Sequence, residues 1–475
     1  MIFPKYRPDA PDYDDGTLKG LVTCRNVYPS AGGYRPIPDL SASTGALLET
    51  WKGGGAFEFN GNSAFLAATA AALYARSGAN WVSKHAIATS SPWFFAQFGD
   101  LVIGVNGTTC IKYTISTGAG AVLAGSPPNS ARYITVAKQF VVMAGLGSES
   151  MRVYWSGIEN AESWTVGVNQ SDFQDFPEGG PITGLAGGEY MVVFQNNAIH
   201  LGEYQGTPTI FNFRRVEASV GCIAHGSIVA HEGMYYFLAG DGFKAWSPQT
   251  GVQHIGENAV DETFLSRFSL SQIASIRAAV DPERRLIIWQ MPDALFFYHI
   301  ETDSWSEASI SGVNGMSTGV SSSAALSLED IGALFATLED VTPGFDDPTW
   351  GGAGGGVPLL YLFKTDNIGY TASAGTRLAA TLKTQKMQPN PGYVSHLLNT
   401  YLETDATSGI TLHVDTSARM GDSQTRVSSA DLRANGDLPI RASGKVLQFE
   451  WNVSTAPTWT YLKGFAIDAR KGGRQ

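Results

Sequence analysis

The sequence predicts an all-β protein: a β-propeller of six or seven blades with an additional C-terminal antiparallel β domain. Three observations lead to this prediction. Only 16% of the 475 residues are charged and 54 are glycine, a composition suited to short strands and tight turns. A hairpin pattern, in which turn residues separate two apolar runs, recurs along the chain. Its spacing is mostly near the roughly 40 to 50 residues of a four-stranded propeller blade.

The recurring hairpin has apolar residues on consecutive positions, which is typical of strands buried on both faces. Dipeptides such as Asn106-Gly107 and Asp241-Gly242 separate the runs and favour a type I′ turn, because both of its central residues need positive φ. The last spacing is longer and contains the glycine-rich insertion 350–356. The hairpins start at Phe65, Leu101, Phe140, Tyr190, Met234, Leu286 and Leu359.

The pattern leaves one alternative architecture and contains one exception. A set of β-sandwiches would also give hairpins at short spacing. Between residues 257 and 277, Val260, Phe264 and Phe268 recur every four residues, which predicts one or two short helices.

Three regions are expected from the change of pattern along the chain. Residues 1–45 contain six prolines and are expected to form an extended N-terminal arm. Residues 46–375 carry the hairpins and are expected to form the propeller. Residues 376–475 alternate apolar and polar positions, the pattern of a half-exposed antiparallel sheet, and are expected to form the C-terminal β domain.

The charge balance argues against a duplex-binding protein. The net charge is −11, whereas proteins that grip DNA concentrate Lys and Arg against the phosphates. Cys24, Cys110 and Cys222 are far apart in sequence, which favours buried, reduced thiols. The first residues lack the apolar core of a secretory signal, and 64–75 is too short to span a bilayer, so we expect folding in a cytoplasm and no membrane anchor.

Catalytic, cofactor and metal motifs are not found in the sequence, so we expect no enzyme activity, no cofactor and no metal. Asp172 and Asp175 could act as the paired carboxylates of a glycosidase, but carboxylates beside Gly179-Gly180 favour turn formation. His231-Glu232 lacks the second histidine of a zinc protease motif.

One acidic cluster in the N-terminal arm is a possible docking element. Its members are carboxylates and one tyrosine in a Pro-containing segment, which loses less entropy when it orders on a partner. The two interpretations are a solvated tail and an arm that docks on a basic neighbour. The candidate docking residues are Asp9, Asp12, Tyr13, Asp14 and Asp15.

Three segments, in this order, resemble the tail hub (nozzle) proteins of short-tailed bacteriophages, a family of the DNA-stabilisation type. In the C-terminal domain, Gly444-Lys445-Val446-Leu447 stands where that family commonly has a Tyr-Arg pair. The first resembling segment is Arg25–Pro29 with Gly33–Pro38. The second comprises Asn197–Ile199, Val220–Ala224, Ser227, Tyr235–Leu238, Gly242-Phe243, Val252–Gly256 and Val260-Asp261. The third comprises Trp459, Leu462, Gly464-Phe465 and Gly472–Arg474.

The resemblance implies a structural virion protein, assembled in the host cytoplasm, that forms a six-fold ring in the phage tail. Such a ring would dock on the tail adaptor ring, hold the tail needle, plug or spikes, and let genome DNA pass through its lumen during ejection without specific binding. For that role we expect a net negative lumen, because basic walls would retain DNA. A propeller-type polysaccharide-degrading enzyme and a cellular propeller interaction scaffold remain the alternatives.

Overall fold

The computed structural model describes residues 2–10, 20–89, 91–320, 358–455 and 458–473. These residues form 39 β-strands, two short α-helices, α1 (Asp261–Arg267) and α2 (Leu270–Ile273), and a 3₁₀ turn at His225–Ser227. The all-β prediction is therefore confirmed. The helices lie inside the segment where a period of four residues predicted them.

The N-terminal residues contribute strands to three different sheets. Their backbone is extended, as expected for this part of the chain, but the strands are hydrogen-bonded to later parts of the chain, so the described residues do not stand apart as an arm. Proline content indicated the extended backbone but not its partners. The strands are β1 (Leu21–Arg25), β2 (Val27–Ser30), β3 (Gly33–Pro36) and β4 (Pro38–Ala42).

Seven antiparallel groups of four strands follow one another along the middle of the chain. The first six pair their strands in sequence order, and the sixth is continued by further strands into a nine-stranded sheet. We call them sheets 1 to 7. Sheet 1 contains β5 (Gly53–Phe59), β6 (Asn62–Ala68), β7 (Ala72–Ser77) and β8 (Asn80–Ala86), and sheet 2 contains β9 (Phe94–Phe98), β10 (Leu101–Val105), β11 (Cys110–Thr114) and β12 (Ala119–Val122). Sheet 3 contains β13 (Tyr133–Ala137), β14 (Phe140–Ala144), β15 (Arg152–Trp155) and β16 (Asp172–Asp175), and sheet 4 contains β17 (Ile182–Ala186), β18 (Met191–Gln195), β19 (Ile199–Gly206) and β20 (Ile210–Glu217). Sheet 5 contains β21 (Val229–His231), β22 (Met234–Ala239), β23 (Gly242–Ser247) and β24 (Gly251–His254), and sheet 6 contains β25 (Arg277–Asp281), β26 (Leu286–Gln290), β27 (Ala294–His299) and β28 (Ser304–Ser309).

Sheet 7 combines both ends of this part of the chain. Its first three strands are β29 (Val313–Val320), β30 (Pro358–Lys364) and β31 (Gly369–Arg377), and its fourth strand is the N-terminal β4. The boundary expected at residue 375 therefore falls inside β31. Division of the chain into independently folding units remains a prediction.

Each predicted hairpin corresponds to the second and third strands of one sheet, from β6 and β7 in sheet 1 to β30 and β31 in sheet 7. Consecutive apolar positions are buried on both faces, as in β14 and β18, whose residues are all buried. Most successive first strands lie side by side, the 3₁₀ turn at His225–Ser227 contacts both β17 and β25, and β29 of sheet 7 lies against β5 of sheet 1.

The turn expected at Asp241-Gly242 lies one residue earlier. Ala239 pairs with Gly242, so Gly240 and Asp241 form the turn. Of these residues only Gly242 has positive φ, at 131°. A Cβ on Gly242 would lie 2.1 Å from the carboxylate of Asp261, so close packing requires glycine there in addition to its backbone angle.

The C-terminal residues form a two-layer region with β1, β2 and β3. One layer continues sheet 6 in the order β28, β1, β32, β38, β34, β35, and the other has the order β2, β3, β39, β33, β36. The layers meet at aromatic side chains such as Trp451 and Phe465, whose ring centroids are 4.5 Å apart. The remaining strands are β32 (Ala380–Thr384), β33 (Ser395–Thr404), β34 (Ile410–Ser417), β35 (Thr425–Asp431), β36 (Asp437–Leu438), β37 (Ala442–Gly444), β38 (Val446–Val453) and β39 (Leu462–Lys471).

Candidate functional site

The candidate docking residue Asp9 is bound within the chain. Its carboxylate accepts hydrogen bonds from the backbone N–H of Glu262 at 2.7 Å and of Thr263 at 2.9 Å, and from the Thr263 hydroxyl at 2.6 Å. These donors belong to the first turn of α1, where backbone N–H groups lack partners within the helix. Asp9 thus caps α1 from a distant part of the chain. Asp12, Tyr13, Asp14 and Asp15 lie outside the described residues.

Behind this cap lies a second carboxylate, Asp261, which is buried. Burial raises its pKa to about 6, and the nearby negative charge of Asp9 acts in the same direction. The Phe243 N–H donates to Asp261 at 2.9 Å, which stabilises the ionised form and partly offsets burial. The two carboxylates therefore repel each other across the start of α1, a position that attracts anions.

A buried ammonium group compensates this negative charge. The Lys244 side chain is only 1% exposed, and its Nζ donates to Asp241 at 2.9 Å and to His254 Nδ1 at 2.5 Å. Burial raises the pKa of Asp241, but the hydrogen bond and charge of Lys244 outweigh burial and lower it overall. The hairpin turn of sheet 5 is thus joined to this cluster by an ion pair.

The joint between the sheets and the two-layer region contains a buried carboxylate. Glu307 on β28 accepts hydrogen bonds from Arg25 on β1 at 3.0 Å and from Arg267 at 3.1 Å, and its side chain is 6% exposed. Arg25 and Glu307 also face each other where β1 runs parallel to β28. Arg267 binds Asp293 as well. The sequence offered no signal for this cluster, because its residues are up to 282 positions apart.

The possible carboxylate pair of a glycosidase is not assembled as an acid and a base. Asp175 binds the Arg152 guanidinium with two hydrogen bonds of 2.6 and 2.8 Å, which lower the pKa of Asp175. Asp172 is three positions away on the same strand, so the two side chains point to opposite faces. His231 ends β21, and Glu232 lies in the turn between β21 and β22.

The described residues contain no group of three or more His, Cys, Asp or Glu side chains that could hold a metal ion. Cys24, Cys110 and Cys222 are buried free thiols, which confirms the expectation of buried, reduced cysteines. Burial raises the pKa of Cys110 to about 12 and that of Cys222 to about 11, so both stay protonated at neutral pH. Within the described part of the chain, no helix is long and apolar enough to cross a bilayer.

No family model matches the sequence, and no curated protein matches it. Solved structures with related backbones include the extracellular domain of the one component system BT4673 from B. thetaiotaomicron, at 10% identity and a TM-score of 0.40, covering 79% of this chain and 43% of that one. The chain thus spans less than half of that domain. BBS1N in complex with ARL6DN matches at 11% identity and a TM-score of 0.43, covering 74% of this chain and 98% of that one. U3-55K matches at 12% identity and a TM-score of 0.37, covering 62% of this chain and 90% of that one.

Proposed function

We propose that this chain is a non-enzymatic structural protein of a virion, a subunit of the tail hub (nozzle) ring of a short-tailed bacteriophage. Six copies form the ring, which docks on the tail adaptor above and holds the distal needle, plug or spikes below. Genome DNA passes along the lumen during ejection.

The observation that carries this proposal is the meeting of the three segments that resemble the tail hub family. Tyr34 of the first segment pairs with Leu462 of the third, and a Cβ on Gly33 would lie 2.2 Å from the Leu462 carbonyl oxygen. The second segment contributes Phe243 and Val260 to the same buried apolar cluster. The resemblance therefore concerns residues that join the sheets to the two-layer region, which is the rigid connection that a ring subunit needs.

A closed seven-bladed propeller is the second part of the proposal. Most successive first strands lie side by side, the 3₁₀ turn at His225–Ser227 contacts both β17 and β25, and β29 lies against β5. The N-terminal β4 supplies the fourth strand of sheet 7 and directly precedes sheet 1 along the chain. Hydrogen bonds between the two ends of a propeller would close its ring and remove exposed sheet edges.

The absence of catalytic activity is also proposed, and the local geometry favours it. A retaining or inverting glycosidase needs one carboxyl group that is protonated at working pH. Asp175 is instead held ionised by Arg152. If the chain were a polysaccharide-degrading enzyme, Asp172→Asn or Asp175→Asn would abolish the release of reducing sugar, whereas we expect no release from the unaltered protein.

The oligomeric state of the purified protein is the direct test. Native mass spectrometry and negative-stain imaging should reveal closed rings of six copies. A chain that remains monomeric at every concentration, alone and in virion preparations, would point to a cellular scaffold instead. In an imaged ring, Asp and Glu should outnumber Lys and Arg on the lumen wall; an excess of Lys and Arg there would refute the conduit role while leaving the ring intact.

A further inference from the structure

A groove of about 530 Å³ lies between the outer parts of sheets 3 and 4. Residues of β16, β19 and β20 line it, together with the segment that links β16 to β17. Small-molecule pockets in proteins commonly have volumes of roughly 300–1,000 Å³. The groove is therefore large enough for an organic ligand of several carbon atoms.

His200 is a buried polar side chain in this lining, with 8% of its surface exposed. Its Nε2 lies 2.9 Å from Oε1 of Gln195. The amide nitrogen of Gln195 donates to the carbonyls of Phe176 and Gly180, so Oε1 is the acceptor and His200 Nε2 carries the proton. Burial, and then the charge of Arg215, lower the pKa of His200, so the ring is neutral at neutral pH. Its Nδ1 is therefore an unprotonated acceptor.

This second ring nitrogen of His200 is available to a ligand. Nδ1 has no hydrogen-bond partner among the described residues, and it keeps accessible surface, unlike the shielded Nδ1 of His413. Because so little of His200 is exposed and the residue lines the groove, that surface belongs to the groove. Buried polar groups normally have a partner, so a donor from a bound molecule is expected at this nitrogen.

Aromatic rings form the wall beside His200. Phe213 is half-buried and pairs with Gly202 on the neighbouring strand. A Cβ on Gly202 would lie 2.5 Å from the Phe213 ring, so glycine lets this ring lie close against β19. The Phe176 ring centroid lies 5.1 Å from that of Phe213 and 4.6 Å from that of His200. The groove thus presents an apolar ring and a polar acceptor side by side.

The rim of the groove supplies hydrogen-bonding groups of both kinds. Arg215, which pairs with His200 across the strands, donates to the Glu178 carboxylate at 2.6 Å. These two are the only charged residues in the described lining, and their charges compensate each other. The exposed amides of Gln174 and Asn212 add further donors and acceptors. The groove therefore favours a neutral ligand that both donates and accepts.

We propose that this groove binds a neutral sugar, with the Phe213 ring against the C–H face of the sugar and His200 Nδ1 accepting from a hydroxyl group. Each sugar hydroxyl can donate and accept, which matches the mixed groups of the rim. An apolar wall with a few placed polar groups is the usual construction of a small-molecule site. The groove is formed within one chain, so the proposal does not rest on ring formation or on the tail-hub role.

The test is saturation-transfer difference NMR of the full chain with glucose, galactose, mannose, rhamnose and N-acetylglucosamine, followed by titration of each sugar that responds. We expect saturable binding of at least one sugar. His200→Gln keeps a donor toward Gln195 and removes the acceptor, so Kd should rise about 3- to 10-fold. Phe213→Leu keeps an apolar side chain and removes the ring, and should raise Kd by about the same factor.

Arg215→Gln provides a variant that leaves the buried wall unchanged. The Arg215 side chain is 43% exposed, so this protein should fold even where His200→Gln does not. Loss of the ordered guanidinium donors should raise Kd about 3-fold or more. Unchanged affinity in Arg215→Gln, together with unchanged affinity in whichever of the other two variants folds, would overturn the proposal.

His299→Gln is the matched control. His299 is also buried, at 5% exposure, but its Nδ1 accepts from the Thr302 N–H at 3.2 Å and it lies outside the groove. This variant should bind the sugar as tightly as the unaltered protein. Absence of saturable binding by all five sugars would overturn the proposal. Saturation of acetyl-trialanine amide but of no sugar would assign the groove to a peptide and overturn it as well.

Discussion

Sheets 1 to 7 and the two-layer region are both largely antiparallel β structure, but their strands pair over different distances along the chain. In sheets 1 to 6 each strand pairs with its neighbour along the chain, as β14 does with β13 and β15. In the two-layer region β1 pairs with β32, and β3 pairs with β39, across most of the sequence. Local pairing closes short loops at low entropic cost, whereas the distant pairing needs both chain ends in place first.

The N-terminal strands connect sheets 1 to 7 to the two-layer region. β1 extends sheet 6 into one layer, β2 and β3 join the other layer, and β4 completes sheet 7. The sheets are expected to fold locally, and the two-layer region is expected to depend on residues 20–42. The following predictions test this comparison, from the largest expected effect to the smallest.

Deletion of residues 1–45 should have the largest effect. The two-layer region would lose three strands and the buried side chains of Phe3, Leu21 and Tyr34. We expect the cooperative unfolding transition to be lost and residues 380–475 to become protease-sensitive, as measured by calorimetry and limited proteolysis. Adding a synthetic peptide of residues 1–45 should restore protection. An unchanged single transition in the shortened chain would contradict the proposed dependence.

Gly242→Val should destabilise sheet 5 by about 3 kcal/mol or more, since strain at positive φ adds to a clash with Asp261. Gly233→Val is the control: Gly233 also has positive φ, at 79°, but a Cβ there meets no atom within 4 Å. Chemical denaturation should show a clearly smaller loss for the control. Equal losses would mean that the backbone angle alone requires glycine at residue 242.

Asp261 should make the stability of the sheets depend on pH. Its folded pKa, about 6, lies above its ordinary value of 3.8, so the folded state binds the proton more tightly. The resulting stability is complete below about pH 4 and is lost as pH rises to about 6. Asp261→Asn should remove this loss and be more stable than the unaltered chain at pH 7 by up to about 3 kcal/mol. Denaturation at pH 4 and 7 tests this, and Asp281→Asn should keep the original dependence.

Glu307→Gln should loosen the joint between the two regions. It removes a buried charge that binds Arg25 and Arg267, and we expect a loss of about 2 kcal/mol, the usual contribution of hydrogen bonds to a charged group. Glu301→Gln is the control, because its ion pair with Arg285 is exposed and such pairs contribute only about 0–1 kcal/mol. A double-mutant cycle with Arg25→Gln should give a coupling energy; additive losses would show that β1 and β28 do not cooperate through this pair.

Asp9→Ala should cost about 1 kcal/mol, the usual effect of removing a helix cap. Asp9→Asn retains an acceptor oxygen and should recover most of this stability. Hydrogen exchange at Glu262 and Thr263 provides a local readout. If exchange there is the same in all three proteins, Asp9 is not the cap.

Sequence patterns sufficed for features that depend on neighbouring residues. The presence of the seven hairpins, the helical turns around Phe264 and the alternating C-terminal strands follow from local periodicity, because burial of one or both strand faces determines which positions are apolar. The first hairpin begins at Asn62, before the predicted Phe65. The Asp241-Gly242 turn was misplaced by one residue. Glycine is required at residue 242 by the close approach of the distant Asp261 carboxylate as well as by the local backbone conformation.

Only the tertiary structure decided which distant residues meet. Composition indicated extended backbone in residues 1–45, but hydrogen bonding placed its strands in three sheets. Asp9 looked like part of a docking cluster and instead caps α1. Glu307 had no local signal, because its partner Arg25 lies far away in sequence. Sequence periodicity indicates which faces of a strand are buried. The pairing partners of each strand and the charged groups around each side chain depend on how distant segments pack together.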